Sequence, residues 1–451
     1  MTRLRKIALV ALIAILASSM LFAQGTKEDK AAGPTRIKVL NYLDMAQANS
    51  ANDVTEIWDR FSAEHPEIQV EREDLFNEPF HQKTESYIAS GDIPDVVYMW
   101  PSGRSASLIT SGSVQDLRPW LERDGLMDKY NPAALIPQVG DIIAELPMGI
   151  TASHLMMVNK TVLDKYNLDM PETLQDLIDM VPILAKDNVQ VIAMDNMDDW
   201  VMQSCLFSAI VGRYGGADWF NRLDAGEIKF TDDWFLNSLE VVDTLYETGV
   251  ISRTSLNSPY TQSRGDFVNG KAAFYIDGDW GTGGFVTDQT TGKALIAPEK
   301  QATDYAFTVI PELPGEVLHG STSGTIATGF GLSADLEMGT PEGEAAWTLI
   351  KYLEGEYVQT YRIITGACFP SYLDIDIEKV MADNNLDPFI AMRYDFYSSV
   401  SATTPVCDGV LQPDVFNVIN RGLQEIGLDA KTPEQVAAEV QQAWEDWKSM
   451  N

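Results

Sequence analysis

Two periodicities alternate at the start of the ordered chain, and that alternation constrains the fold more than any other feature of the sequence. Thr35 to Leu43 reads Thr-Arg-Ile-Lys-Val-Leu-Asn-Tyr-Leu, alternating between apolar and polar as a strand does, with Asn41 and Tyr42 at its end. From Asp53 to Glu64 the apolar residues Val54, Ile57, Trp58 and Phe61 recur at helical spacing, with Asn52 or Asp53 as N-cap and His65-Pro66 as the stop. A second strand begins at Ile68 to Val70, a second helix covers Phe80 to Ala89, and Ser90 to Pro94 turns into a third strand, Asp95 to Trp100. Strand and helix in this rhythm predict an α/β fold, a parallel sheet wrapped by helices. Ligands of open α/β sheets sit in the crevice outside the carboxyl ends of the strands, so Asn41, Tyr42 and Trp100 become candidates for contact.

The punctuation changes at Leu146-Pro147-Met148-Gly149-Ile150, where a lobe boundary is expected. Beyond it come a strand over Ser153 to Asn159 and a short helix over Lys160 to Tyr166. An amphipathic helix over Leu174 to Ala185 carries a stripe of Leu174, Leu177, Ile178, Val181 and Leu184. Val189 to Met194 reads as a strand ending at Asp195-Asn196, with Trp200 close behind. Helical patterns follow at Met202 to Val211 and Trp234 to Gly249, then strands at Tyr305 to Ile310 and, as one Gly-rich run, Thr325 to Leu332. A helix over Glu342 to Leu353, a loop over Gly366 to Ser371 and a mostly helical remainder complete the chain.

One stretch combines strand, turn and chemistry. Phe267 to Trp280 contains the turn pair Asn269-Gly270, an apolar run from Ala272 to Ile276, and Asp277-Gly278-Asp279 before Trp280. If the run is a buried strand, Trp280 faces a cleft beside acidic acceptors. The flat C–H face of a pyranose packs on an indole while its hydroxyls donate to carboxylates, so the combination suits a sugar. A core Trp behind an ordinary turn is the alternative.

At the N-terminus, Arg3, Arg5 and Lys6 precede an apolar run from Ile7 to about Ala17, and Ala23 offers a cleavage site. Residues 1–23 therefore read as a secretory signal peptide and 24–34 as a polar tether. No Cys follows the run, so a lipid anchor is not supported, and an exported periplasmic protein is expected. The formal charge of −34 becomes −37 once the three basic leader residues are gone, which makes nucleic acid and anionic lipid poor partners. Three Cys, Cys205, Cys368 and Cys407, allow one bridge at most, with Cys368 and Cys407 as the possible pair. Four His without ligand spacing argue against zinc, and no cofactor motif is present.

Taken in order, several segments resemble the extracellular solute-binding proteins of ABC importers, in the maltose and oligosaccharide branch. They are Phe61 to Val70 with Pro66, Gly91-Asp92-Ile93-Pro94-Asp95-Val96, Leu146-Pro147 followed by Val158-Asn159-Lys160, and Pro171-Glu172-Thr173-Leu174. Asn269 to Phe274 with Gly278 and Trp280, Pro311 to Gly315, and Ala346-Trp347 near Tyr352-Leu353 complete the set. Leu174 departs from the pattern, because a Trp usually follows the Thr. The resemblance implies a two-lobed periplasmic-binding-protein fold with three crossover hinge segments, near Pro147 to Ile150, Thr308 to Pro311 and Leu353 to Tyr357. Lobe one is then 35–147 with 311–353, and lobe two 148–308 with 354–451. It implies a monomer that closes on a carbohydrate by hinge motion and delivers it to a membrane permease, with no chemistry performed.

The residues expected at the ligand are Trp280 first, because the family places an aromatic ring there, then Trp100, Asp279 and Tyr42 with Asn41. Asn196 and Trp200 are further candidates from lobe two, Ser321 and Thr322 could supply hydroxyls from lobe one, and Phe369 could stack. A polyol is an alternative ligand. A glycoside hydrolase is the rival class, from Asp277 with Asp279 or Asp198 with Asp199, but carboxylates so near in sequence seldom straddle a substrate across ~5 to 9 Å. Gly320 to Gly324 has Thr322 where a nucleophile elbow needs Ser, and no Asp-rich loop has calcium spacing.

Overall fold

The computed structural model describes residues 33–47, 49–135, 141–326 and 328–450. The leader, and the tether as far as residue 32, lie outside the described residues. Among the described residues twelve strands are formed: β1 Thr35–Tyr42, β2 Ile68–Leu75, β3 Val96–Met99, β4 Leu146–Pro147, β5 Ile150–Ala152, β6 Leu155–Asn159, β7 Gln190–Ala193, β8 Ala272–Asp277, β9 Tyr305–Thr308, β10 Thr322–Ile326, β11 Gly329–Leu332 and β12 Thr403–Pro405.

The first lobe is built on a five-stranded sheet in the order β2-β1-β3-β11-β4. β1 pairs in parallel with β2, from Thr35 opposite Ile68 to Tyr42 opposite Leu75, and in parallel with β3. Alternation sends side chains to opposite faces: Ile37 and Val39 pack with Phe61, Trp347 and Ile350 on one side, while Leu40 joins Val97, Met99 and Phe80 on the other. The sheet is mixed rather than all parallel, because β11 runs antiparallel to β3 and to β4. A strand returning from more than two hundred residues away leaves no trace in local periodicity.

The second lobe rests on the sheet β7-β8-β6-β9. Every residue of β8 is buried, as the apolar run required, with β7 parallel on one side and β6 antiparallel on the other. Helix Leu174–Leu184 starts at a capping box, Thr173 with Asp176, and sets Leu177 and Leu184 into the core beneath this sheet.

A third, three-stranded sheet, β12-β10-β5, joins segments from distant parts of the chain. The single Gly-rich strand expected over Thr325 to Leu332 is two strands, since β10 pairs with β5 and β12 while β11 belongs to the first lobe. A composition pattern cannot register a change of partner. Buried Arg213 holds the segment that precedes β10, with Nη1 donating to Pro311 O at 3.0 Å and to Glu316 Oε2 at 3.1 Å. All three cysteines are free and buried: Cys368 donates to Met148 O at 3.3 Å, and Cys407 packs in the second lobe. Burial pushes both thiols up to about 12, so neither forms the thiolate that oxidation needs. Among the described residues no helix is long and apolar enough to cross a membrane.

Candidate ligand-binding cleft

A cavity of about 380 Å³ opens between the first and second lobes, a size suited to a small-molecule ligand. Its near wall is made by strand ends of the five-stranded sheet. Tyr42 closes β1, Phe76 follows β2, Trp100 follows β3, and the rings pack on one another. Tyr42 lies 4.8 Å from Trp100, edge to face, 5.1 Å from Phe76 and 5.5 Å from Tyr98, centroid to centroid. Asn41 lines the cavity with its amide donating to Asp74 Oδ1 at 2.8 Å. His81 tilts against Trp100 at 4.8 Å, and burial together with the Arg104 charge pushes its pKa down to about 3. It is therefore a neutral ring at neutral pH.

The far wall is built differently. Trp200, Tyr260 and Trp280 face the cavity, with Trp200 4.8 Å from Tyr260 and 6.5 Å from Trp280. Behind them runs a polar chain: Trp280 Nε1 donates to the Tyr260 hydroxyl at 2.7 Å, which donates to Asp277 Oδ1 at 3.1 Å. Asp277, at the end of β8, also accepts from Tyr275 at 2.9 Å and from the Gly278 amide at 2.8 Å. Arg264 stands 3.4 Å from the same carboxylate and reaches across the lobes to Gln47 Oε1 at 3.0 Å. Trp280 takes its pose because residue 278 is Gly: a Cβ there would lie 2.2 to 2.3 Å from three indole carbons. The indole lies across a bare backbone.

Of the residues singled out in the sequence, Asn41, Tyr42, Trp100, Trp200 and Trp280 line this cavity, and the others are placed elsewhere. Asp279 is fully buried and accepts from Arg393 Nε at 2.9 Å and Nη2 at 2.7 Å, from Thr151 at 2.5 Å and from Tyr397. It ties β5 to helix Pro388–Ser399 instead of meeting the cavity. Asn196 donates within the second lobe to Tyr246 and Ser255, both at 3.1 Å. Ser321 donates to Leu318 O at 3.1 Å, and Thr322, in β10, to His154 O at 2.6 Å, so both hydroxyls are occupied in the joint between the lobes. Phe369 packs at a tilt against Tyr394 at 3.9 Å and Tyr397 at 4.2 Å, behind its neighbours Ala367 and Cys368, which do reach the cavity.

Other lining residues carried no pattern in the sequence: Tyr98, His81, Arg104, Thr151, Tyr260 and Arg264. Arg264, 8% exposed, gave no signal either, since it is Lys271 that directly precedes the apolar run. The charged lining is balanced, with Arg104, Arg264 and Arg362 against Asp44, Asp53 and Asp408. Neither close carboxylate pair straddles the space: Asp277 and Asp279 are buried in separate hydrogen-bond sets, and Asp198 accepts from Asn77 at 3.0 Å and the Tyr260 amide at 2.9 Å. His154, fully buried, bridges Cys205 O at 2.7 Å and the Ile310 amide at 2.9 Å, and desolvation pushes its pKa down to about 3. It is a structural imidazole.

Two α/β lobes, a sheet-built joint and an aromatic cleft between them define a binding protein that holds a small solute by enclosure. The sequence profile of bacterial extracellular solute-binding proteins matches residues 47–360, and the chain belongs to that family. No curated protein matches it by sequence. Among solved structures it is similar to a protein from a study of xylan utilization by Caldanaerobius polysaccharolyticus, with TM-score 0.77 and 22% identity over 90% of this chain and 99% of the other. A chitin oligosaccharide binding protein gives TM-score 0.76 and 24% identity over 91% and 100% of the two chains. The maltose/maltodextrin-binding domain MalE of Bdellovibrio bacteriovorus, bound to maltotriose, gives 0.69 and 20% over 92% and 100%. At these identities the likeness is one of fold.

Proposed function

We propose that this solute-binding protein captures a neutral carbohydrate, a mono- or oligosaccharide, between its lobes and delivers it to the membrane permease of an ABC importer. The observation that carries the reading is the pair of facing aromatic walls, Tyr42 and Trp100 against Trp200 and Trp280, around a charge-balanced lining. Aromatic faces take the C–H surfaces of sugar rings, and the lining adds the Asn41 amide and the Ser204 hydroxyl as polar partners. The neighbouring folds named above come from a study of xylan utilization, from a chitin oligosaccharide binding protein and from a domain bound to maltotriose, which supports a saccharide over other neutral solutes.

Residues 1–23 act in this reading as a cleaved export signal, residues 24–34 as a tether, and the mature chain works as a periplasmic monomer. The lobe division 35–147 with 311–353 and 148–308 with 354–451 belongs to the same proposal. It is supported by the five-stranded sheet drawing on 35–147 and 329–332, and the four-stranded sheet on 155–308. β10, inside 311–353, sits instead in the joint. Closure is a population shift: a sugar touching both walls favours the closed arrangement by its extra contacts there, and no bond is made or broken. Calorimetric titration with neutral sugars, paired with solution scattering, tests it. Binding with compaction and unchanged sugar is expected, whereas no heat and no compaction with any sugar would sink the proposal.

A further inference from the structure

Beyond one end of the cleft lies a second cavity of about 460 Å³, whose lining includes Glu78, Glu85, Asp198, Asp199, Asn417 and Gln424. His81 and Arg104 line both cavities, so their side chains are the wall between them. That wall spans the two lobes. Arg104, in the turn after β3, donates Nε to Asp408 Oδ2 at 2.7 Å, and Asp408 lies on the short helix Cys407–Val410 of the second lobe. The pair is largely shielded, with side-chain exposures of 15% and 9%. The guanidinium lies 5.9 Å from the ring centres of Trp200 and Phe416, both in the second lobe, and its Nη1 is 3.4 Å from His81 Nε2. Beside it a second bridge, Asn77 Nδ2 to Asp198 Oδ1 at 3.0 Å, joins a residue of the cleft to one of the second cavity.

We infer that the Arg104–Asp408 bridge is a partition that sets the length of the saccharide this protein accepts. The inference rests on the carbohydrate reading above and deepens it. With the bridge in place, a sugar chain in the cleft ends against a fixed guanidinium, and ring positions beyond it are denied. Without it, the cleft runs into a chamber rich in carboxylate and amide acceptors for hydroxyls. Glu78 and Glu85 are exposed, so the outer side of that chamber reaches solvent and a longer chain could emerge there. Only side chains must change to join the two spaces. The backbones stay in register through Gly103, where an added Cβ would lie 2.0 Å from Leu411 O and 2.4 Å from Asp408 O, so the lobes still meet when the Arg104 side chain is removed.

The test is calorimetric titration of the wild type, Arg104→Ala and Asp408→Ala with xylo-, chito- and malto-oligosaccharides, each from monosaccharide to hexasaccharide. In the wild type, affinity is expected to peak at a short chain in whichever series binds and to fall for longer ones. Both variants are expected to move the peak to longer chains, with the hexasaccharide gaining about tenfold over the disaccharide relative to wild type, while short ligands weaken a few-fold because the bridge also joins the lobes. Melting curves separate misfolding from altered binding, and two partners of one bridge give two chances of a folded variant. Variants that bind every length with the wild-type profile, uniformly weaker or unchanged, overturn the inference alone. A wild type that binds no member of any series overturns the carbohydrate reading and this inference with it.

Discussion

The two walls of the cleft carry similar rings on different foundations. On the five-stranded side, Tyr42, Phe76, Tyr98 and Trp100 hold one another by ring-to-ring packing, backed by Phe80. On the four-stranded side, Trp280 is fixed through its indole N–H to Tyr260 and on to buried Asp277, with Arg264 behind. Packing constrains position loosely and lets neighbours refill a gap, whereas a directional hydrogen bond fixes orientation. The near wall is thus an adaptable surface and the far wall a fixed floor. The difference suggests that orientation of the solute is decided at the second lobe.

The largest effect should come from the buried ion pair next to the far wall, which neither faces the cavity nor holds the indole. Asp279→Ala leaves Arg393 buried with no carboxylate, and we expect a loss of about 3–5 kcal/mol in denaturant unfolding, with affinity per folded molecule much less affected. Should affinity collapse while stability is kept, Asp279 would belong to the site and the contrast between floor and foundation would fail. Next, Trp280→Ala is expected to weaken sugar binding about 100-fold, near 2.7 kcal/mol, and Trp100→Ala only about tenfold, because Tyr42 and Phe80 can close over the gap. The reverse order in titration would show that the near wall is the fixed one.

A smaller, pH-dependent effect follows from the neutral imidazoles. His81 and His154 stay unprotonated in the fold down to about 3, while the unfolded chain takes up protons below about 6.5, so each costs stability on acidification by about 1.4 kcal/mol per pH unit. Asp195 opposes them, since burial raises it to about 6 and the fold then holds the extra proton between the ordinary carboxylate range and that value. Buried Asp277 and Glu354 are raised too and act in the same direction as Asp195, so the clean readout is the difference between proteins: from pH 7 to pH 5, His81→Gln should lose less stability toward acid than the wild type. An unchanged slope would mean that the near wall contains no desolvated imidazole. Smallest of all, Tyr260→Phe removes the link between Trp280 and Asp277, with about 1 kcal/mol and a few-fold of affinity expected from titration.

What the sequence made legible follows from where periodicity ends. Alternation carries the reading of β1 to within a residue of its end, Trp100-Pro101 closes β3, and in an open sheet that is enough to put Asn41, Tyr42 and Trp100 at a crevice. The same logic places Trp280 after β8. It cannot say that neither Asp277 nor Asp279 faces that crevice, because the turn at Gly278 sends them to separate buried networks; one carboxylate supports the indole from behind and the other locks Arg393. Ser321 and Thr322 were expected to supply hydroxyls from lobe one, yet strand pairing in the joint engages Thr322 and Ser323. Tyr260, Arg104 and Arg264 were silent, since they lie in turns or a one-turn helix whose surroundings are set by contacts far along the chain.

The indole resting on an unadorned α-carbon has an evolutionary side. Residues 278 and 280 are a linked pair: a methyl group at 278 would lift the ring, and a smaller residue at 280 would leave the glycine with nothing to shelter. A lineage drifting toward a new nutrient therefore meets a ratchet at this spot, because either step alone is a loss. The freedom to change diet lies across the gap, in the rings that merely lean on one another.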